Sequence, residues 1–148
     1  MDALVGGVLR SLPRMRRAAE SLMTASCQVY RKTGTRRDGA RIVALWELVY
    51  EGRAKMQTYE GHERTVGGAT DSTAVEQRSA IHVPVGAFRP MPGDVARLTS
   101  STDPLMVGRL WRITQQYPVK EHATAYRAFI DELVGDLLAE FEQAEVTP

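Results

Sequence analysis

Residues 27–50 read CQVYRKTGTRRDGARIVALWELVY, and this is where the chain commits to β-structure. In the second half, Ile42, Ala44, Trp46, Leu48 and Tyr50 fall on every second position, with Glu47 and Glu51 in the opposite phase. Alternation of that kind, rich in β-branched and aromatic residues, predicts a strand with one buried face. The first six residues predict a shorter strand. Between the two, TGTRRDGA contains Gly34 and Gly39 and nothing apolar larger than alanine, so it predicts the loop of a hairpin.

Upstream the period is helical. Leu4, Val8, Leu12, Met15, Ala19 and Leu22 recur at spacings of three and four, giving one apolar stripe with the arginines off it. Gly6, Gly7 and Pro13 predict a frayed or separate first segment and a firmer helix from about residue 12, because glycine and proline both disfavour a helix interior.

Downstream, residues 51–72 carry four glycines, many charges and little periodicity. They predict a long loop or extended hairpin arm, with a short strand at Ala54 to Thr58. Next, Val75, Ile81, Val83 and Val85 share a phase opposed to Glu76, Arg78 and His82, and Pro84 ends that strand or places it at an edge. A turn at MPGD leads into one further strand, and PLMVGRLWRITQQYP predicts another with Trp111, Ile113 and Tyr117 in phase. The stretch from Ala123 suits both periods; a strand to about Glu132 and a helix beyond Gly135 divides it. Several short strands after one leading helix predict a mainly β, α+β chain: a small antiparallel β-barrel with a long loop and a C-terminal helix or tail. The expected organisation is a helical segment over 1–25, a barrel over 26–133 with Trp46, Leu48, Ile81, Val83, Val95, Trp111 and Ile113 in its core, and a helix or tail over 134–148.

At 148 residues, 43% hydrophobic and 25% charged, one domain with one core is expected. The chain lacks an apolar run of membrane-spanning length, and its N-terminal apolar residues precede the arginines, the reverse of a signal peptide, so a soluble, unexported protein without membrane partners is expected. The net charge of +1 hides a split. Residues 1–37 hold eight Lys/Arg against Asp2 and Glu20, a net +6, leaving 11 against 16, a net −5, for the remainder. Such a split suits a surface that meets nucleic acid or an acidic neighbour.

Groups that do chemistry are sparse. His62, His82 and His122 lie far apart, with no pair at the spacing that turns two imidazoles to one metal, and each reads as a surface residue. Cys27 reads as a small buried hydrophobe. Asp94 and Asp103 adjoin turn formers in PGD and DP, where aspartate bonds nearby backbone N–H groups, so they read as turn residues rather than a catalytic pair. No phosphate-binding glycine motif is present. The expectation is a protein without catalysis, cofactor or metal. RMRR and RKTGTRR can contact phosphate without reading sequence, and with only Tyr30 available to stack, a single-strand platform is not expected.

The order of CQVYRK, RIVALWELVYEGRAKMQ, SAIHVPVGA, MPGDVARLTSSTDPLMVGRLWRITQ and EHATAYRAFIDEL resembles that of the head-closure (stopper) and related head-tail connector proteins of long-tailed bacteriophages. The likeness spans roughly residues 25–133 and rests on turn-and-strand patterns. It implies a β-barrel subunit of a homo-oligomeric ring, of six or twelve copies, in the neck of a virion assembled in a bacterial cytoplasm. Its partners would be the portal or adaptor ring, the tail terminator or tail tube, and packaged double-stranded DNA held without sequence preference. Carried over by position, the projecting loop would include His62, Glu63, Val66 and Gly67, and the DNA-facing or interface cations would be Arg36, Arg37, Arg41, Arg53, Lys55 and Arg64. A ring closes through two different surfaces, and the basic third and acidic remainder offer such a pair, or the arginines face DNA. A tail-terminator ring protein and a small nucleic-acid-binding barrel are the alternatives. The acidic C-terminus, VGDLLAEFEQAEVTP, is not required by the shared pattern.

Overall fold

The computed structural model describes residues 2–59, 63–65, 73–75, 78–116 and 121–147. Helix α1 spans Asp2–Ser21 and is followed by β1 (Ala25–Asp38), β2 (Arg41–Tyr59), β3 (Glu63–Thr65), β4 (Thr73–Val75), β5 (Arg78–Val83) and β6 (Val95–Ser100). A 3-10 turn at Pro104–Met106 precedes β7 (Leu110–Gln116), β8 (Tyr126–Glu132), α2 (Asp136–Glu142) and β9 (Glu145–Thr147).

Six strands hydrogen-bond in the order β1-β6-β7-β8-β5-β2, and β2 pairs back to β1, so the sheet closes into a ring. Every contact in that ring is antiparallel. The chain is thus mainly β with a leading helix and a short C-terminal helix, as expected. The ring interior is filled from all six strands: Cys27, Val29, Ala54, Ile81, Val83, Ala96, Leu98, Ile113, Ala128 and Ile130 are buried together. Four alanines in that cluster, at 25, 54, 96 and 128, suit the narrow bore of a six-stranded ring, where side chains from every wall compete for the same space.

A second core lies on the outside. Tyr30, Ala44, Trp46, Val95, Leu110 and Leu133 are covered there by Phe141 of α2, with Leu48 at their margin. The expected single core therefore divides: Ile81, Val83 and Ile113, with Trp111 half-buried beside them, fill the ring, whereas Trp46, Val95 and Leu48 face outward under α2. A slip in the β1–β2 register explains part of the division. Val29 pairs with Tyr50 but Tyr30 with Leu48, leaving Val49 as an extra residue. One extra residue reverses the phase of everything beyond it. Tyr50 thereby leaves the face of Trp46, with which its sequence phase placed it, and packs on the inner cluster.

Four sequence expectations are corrected. The segment TGTRRDGA is not a loop: β1 runs on to Asp38, and only Gly39 and Ala40 turn, with Gly39 at φ 65° in the first-position glycine arrangement of a type II′ hairpin. The stretch from residue 51, expected as a long loop or extended arm with a short strand at Ala54 to Thr58, is strand throughout as far as Tyr59, because β2 continues to that point by pairing with β5. Helix α1 is continuous through Pro13. The carbonyl of Leu9 that proline leaves without a donor belongs to an exposed turn, open to solvent. PLM forms a 3-10 turn rather than the start of a strand, since Asp103 caps it by accepting from the Leu105 N–H at 3.0 Å.

The division of residues 123–142 into β8 and α2 follows the sequence expectation, with Gly135 at φ 65° between them. β5 ends at Val83, immediately before Pro84.

Candidate nucleic-acid and subunit interface

Strand β2 sets the geometry. Its 19 residues extend about 60 Å at ~3.3 Å per residue. The stretch Lys55–Tyr59 closes the ring against β5, and the stretch toward Arg41 leaves it beside β1 as a two-stranded arm. Short β9 joins β2 there in parallel, opposite Leu45 to Glu47.

This length separates the predicted cations. Arg36, Arg37 and Arg41 cluster at the exposed hairpin tip with Ile42, which is 74% exposed although its phase matched the core face. Arg53 is exposed and Lys55 half-buried about 40 Å further along the strand, and Arg64 lies beyond it on β3 beside Glu63. Arg64 pairs in register with Ala74, and Glu63 with Val75. His62, Val66 and Gly67 lie outside the described residues. The predicted residues therefore do not form one patch; the tip holds three of them.

At the tip the acidic C-terminal segment meets the basic arm within one chain. Arg36 donates to Glu145 Oε2 from Nη2 at 2.7 Å and from Nε at 3.2 Å, and Lys32 Nζ lies 3.1 Å from Glu140 Oε1. Glu145 holds the Arg36 guanidinium above its usual pKa by hydrogen bond and charge. Arg37 and Arg41 have no ion pair among the described residues. Two cations and one isoleucine are thus presented at the end of a long two-stranded hairpin, an arrangement able to contact phosphate or an acidic surface.

A further ion pair was not legible in the sequence. Asp94 is almost fully buried, and its carboxylate accepts from Arg31 Nε at 2.9 Å, Arg31 Nη2 at 2.8 Å and the Met91 N–H at 2.9 Å. The turn function expected of Asp94 is present, and the fork of Arg31 additionally ties β1 to the turn before β6. Arg31 also donates to the Arg89 carbonyl at 3.0 Å. Burial with no charge pattern to announce it left this pair hidden.

His82 corrects another expectation. It lies on the outward phase of β5, as predicted, but is buried at 7% exposure, in register with Lys55 on one side and Arg127 on the other. Desolvation first, then the two cations, lower its pKa to about 4. Cys27 is fully buried, and burial raises its thiol to about 12, which disfavours the thiolate. Among the described residues no group of His, Cys, Asp and Glu could hold a metal, and no helix is long and apolar enough to cross a membrane.

One family model, described as a family of unknown function (DUF6093), matches residues 15–131, more than three quarters of the chain. The chain belongs to that family. No curated protein and no solved structure matches it. The DUF6093 match runs from the middle of α1 into β8 and so includes the first five ring strands in sequence, all of β8 but its last residue, the hairpin tip and the Arg31–Asp94 pair. It leaves out α2 and β9, which cover the outer core and neutralise Lys32 and Arg36.

Proposed function

We propose that this chain is a structural subunit of a bacteriophage neck, a head-to-tail connector ring protein of the stopper type. It joins the portal or adaptor ring to the tail and helps retain packaged DNA, without catalysis. The observation that carries this reading is the arm: a six-stranded closed ring from which the β1–β2 hairpin projects, ending in Arg37 and Arg41, which have no ion pair among the described residues. Such a tip suits non-specific contact with duplex DNA in a channel, or with an acidic neighbour. The strand order along the chain that resembles the connector proteins supports it as well.

The test is assembly. Mass photometry and electron microscopy of the purified chain, alone and with portal-adaptor particles, should show closed rings of six or twelve copies with a central channel. A tail terminator would form rings that bind tail tubes and not portals. A monomer that binds free duplex tightly, with a steep loss of affinity in salt, would overturn the connector reading in favour of a nucleic-acid-binding protein.

A further inference from the structure

Strands β2, β5 and β8 each contribute one residue to a row across the outside of the ring: Lys55 pairs in register with His82, and His82 with Arg127. Their chain neighbours Ala54, Met56, Ile81, Val83, Tyr126 and Ala128 pack in the inner cluster, so strand alternation turns these three side chains outward. Lys55 and Arg127 are half-buried, and His82 between them is buried. Partner Cα atoms on adjacent antiparallel strands stand about 5 Å apart, which places Lys55 and Arg127 about 10 Å from one another, a gap that two long side chains can close over the imidazole.

The row lacks a counter-ion. Arg31, Lys32, Arg36 and Arg109 each meet a carboxylate, whereas Lys55 and Arg127 have no ion pair among the described residues. The outward positions on either side hold Arg53, Gln57, Ala80, Pro84, Ala125 and Phe129, and none of these is acidic. The Nε of Arg127 is closed to solvent and has no hydrogen-bond partner, although buried donors nearly always find an acceptor. Among the described residues, then, no protein acceptor commits that guanidinium. Partial burial makes two uncompensated cations costly, which separates this row from the exposed arginines of the hairpin tip. Burial, Arg127 and Lys55 keep His82 neutral at pH 7, so the charge of the row comes from the lysine and the arginine alone.

We propose that Lys55, His82 and Arg127 form a binding site for a phosphate group on the outer face of the ring. Two cations call for two negative charges, which a phosphate dianion supplies and a single carboxylate does not. Its tetrahedral oxygens can take the Arg127 fork along one edge and the Lys55 ammonium at another, with the imidazole beneath. The phosphate is either free or carried on a nucleic acid, and the site is separate from the hairpin tip, about 40 Å away along β2. It does not depend on the connector reading.

The experiment uses the full chain. Histidine side-chain NMR follows sodium phosphate titrated against sodium chloride of equal ionic strength. Phosphate should shift the His82 signals saturably and raise its pKa from about 4 toward 6.5, since a bound anion offsets the two cations, while the exposed His122 stays unchanged. Lys55→Met and Arg127→Gln, each checked for the wild-type circular dichroism spectrum, should weaken the phosphate response at least tenfold, roughly the loss of one hydrogen bond to a charged group. The wild-type titration decides by itself should either substitution disturb folding. A short DNA duplex titrated in the same way identifies the source: the same His82 shift, competed by inorganic phosphate, means a nucleic-acid phosphate, and a response to inorganic phosphate alone means a free one. His82 signals that respond to phosphate no more than to chloride and do not respond to duplex, or a response that survives in both folded variants, overturn the site.

Discussion

His82 shows how a residue's neighbours decide its chemistry. Burial acts on it first, and Arg127 on β8 and Lys55 on β2, which flank it, add to that effect. Its folded pKa of about 4 lies below the ordinary 6.5, so between those values the unfolded chain binds a proton that the folded chain refuses. Stability should therefore be fully present above about pH 6.5 and fall as the pH drops toward 4, by up to ~3 kcal/mol. Urea midpoints at pH 7 and pH 4.5 measure this, and His82→Gln should flatten the difference. Gly52 makes a second case. A Cβ there would stand 2.7 Å from the Tyr50 hydroxyl, which donates to the Arg53 carbonyl at 2.6 Å while its ring stacks on Phe88 at 4.8 Å. Gly52→Ala should cost about 1–3 kcal/mol by displacing that ring. Tyr50→Phe in the same background should not restore it, since the stacked ring remains in the way.

Elements in this fold are joined by contacts between residues far apart in sequence. The Arg31–Asp94 pair ties β1 to the turn entering β6, where Gly93 at φ 94° and the Asp94 N–H bond to Met91 shape the bend. Asp94→Asn keeps the volume but removes the charge that faces Arg31. It should lower stability by about 1–3 kcal/mol, with Arg31 partly in water limiting the loss. At the other side of the sheet, α2 is a seven-residue helix that no propensity would hold alone. Phe141 anchors it, edge-on to Trp46 at 5.1 Å and tilted on Tyr30 at 5.6 Å, with the Arg97 guanidinium 5.9 Å from its centroid. Phe141→Ala should cost about 3 kcal/mol and shift Trp46 emission toward longer wavelength as water reaches the outer core.

For the whole molecule, the closed ring means that no ring strand can be lost without opening two seams. Denaturation followed by amide exchange in β1 and in β8 should therefore report one cooperative transition. The hairpin tip stands outside that unit. Arg37→Ala with Arg41→Ala should leave the unfolding midpoint within about 0.5 kcal/mol of wild type, because both side chains are exposed and neither has an ion pair among the described residues, while reducing any binding to duplex DNA.

The sequence by itself determined the elements that depend on local pattern: the helix before residue 22, the period-two strands, the end of β5 at Pro84, the turn role of Asp94, and the change from β8 to α2 at Gly135. These follow from side-chain spacing and backbone restriction, which act over a few residues. Only the tertiary structure decided the rest. The single extra residue at Val49 turned Tyr50 to the opposite face, and antiparallel pairing with a partner strand extended β1 and β2 through segments whose composition predicted loop. The candidate cations were legible as a class, but not which would be neutralised. Glu140 and Glu145 reach Lys32 and Arg36 across more than a hundred positions, and that choice exists only once the ring has closed and α2 has folded over its outer face.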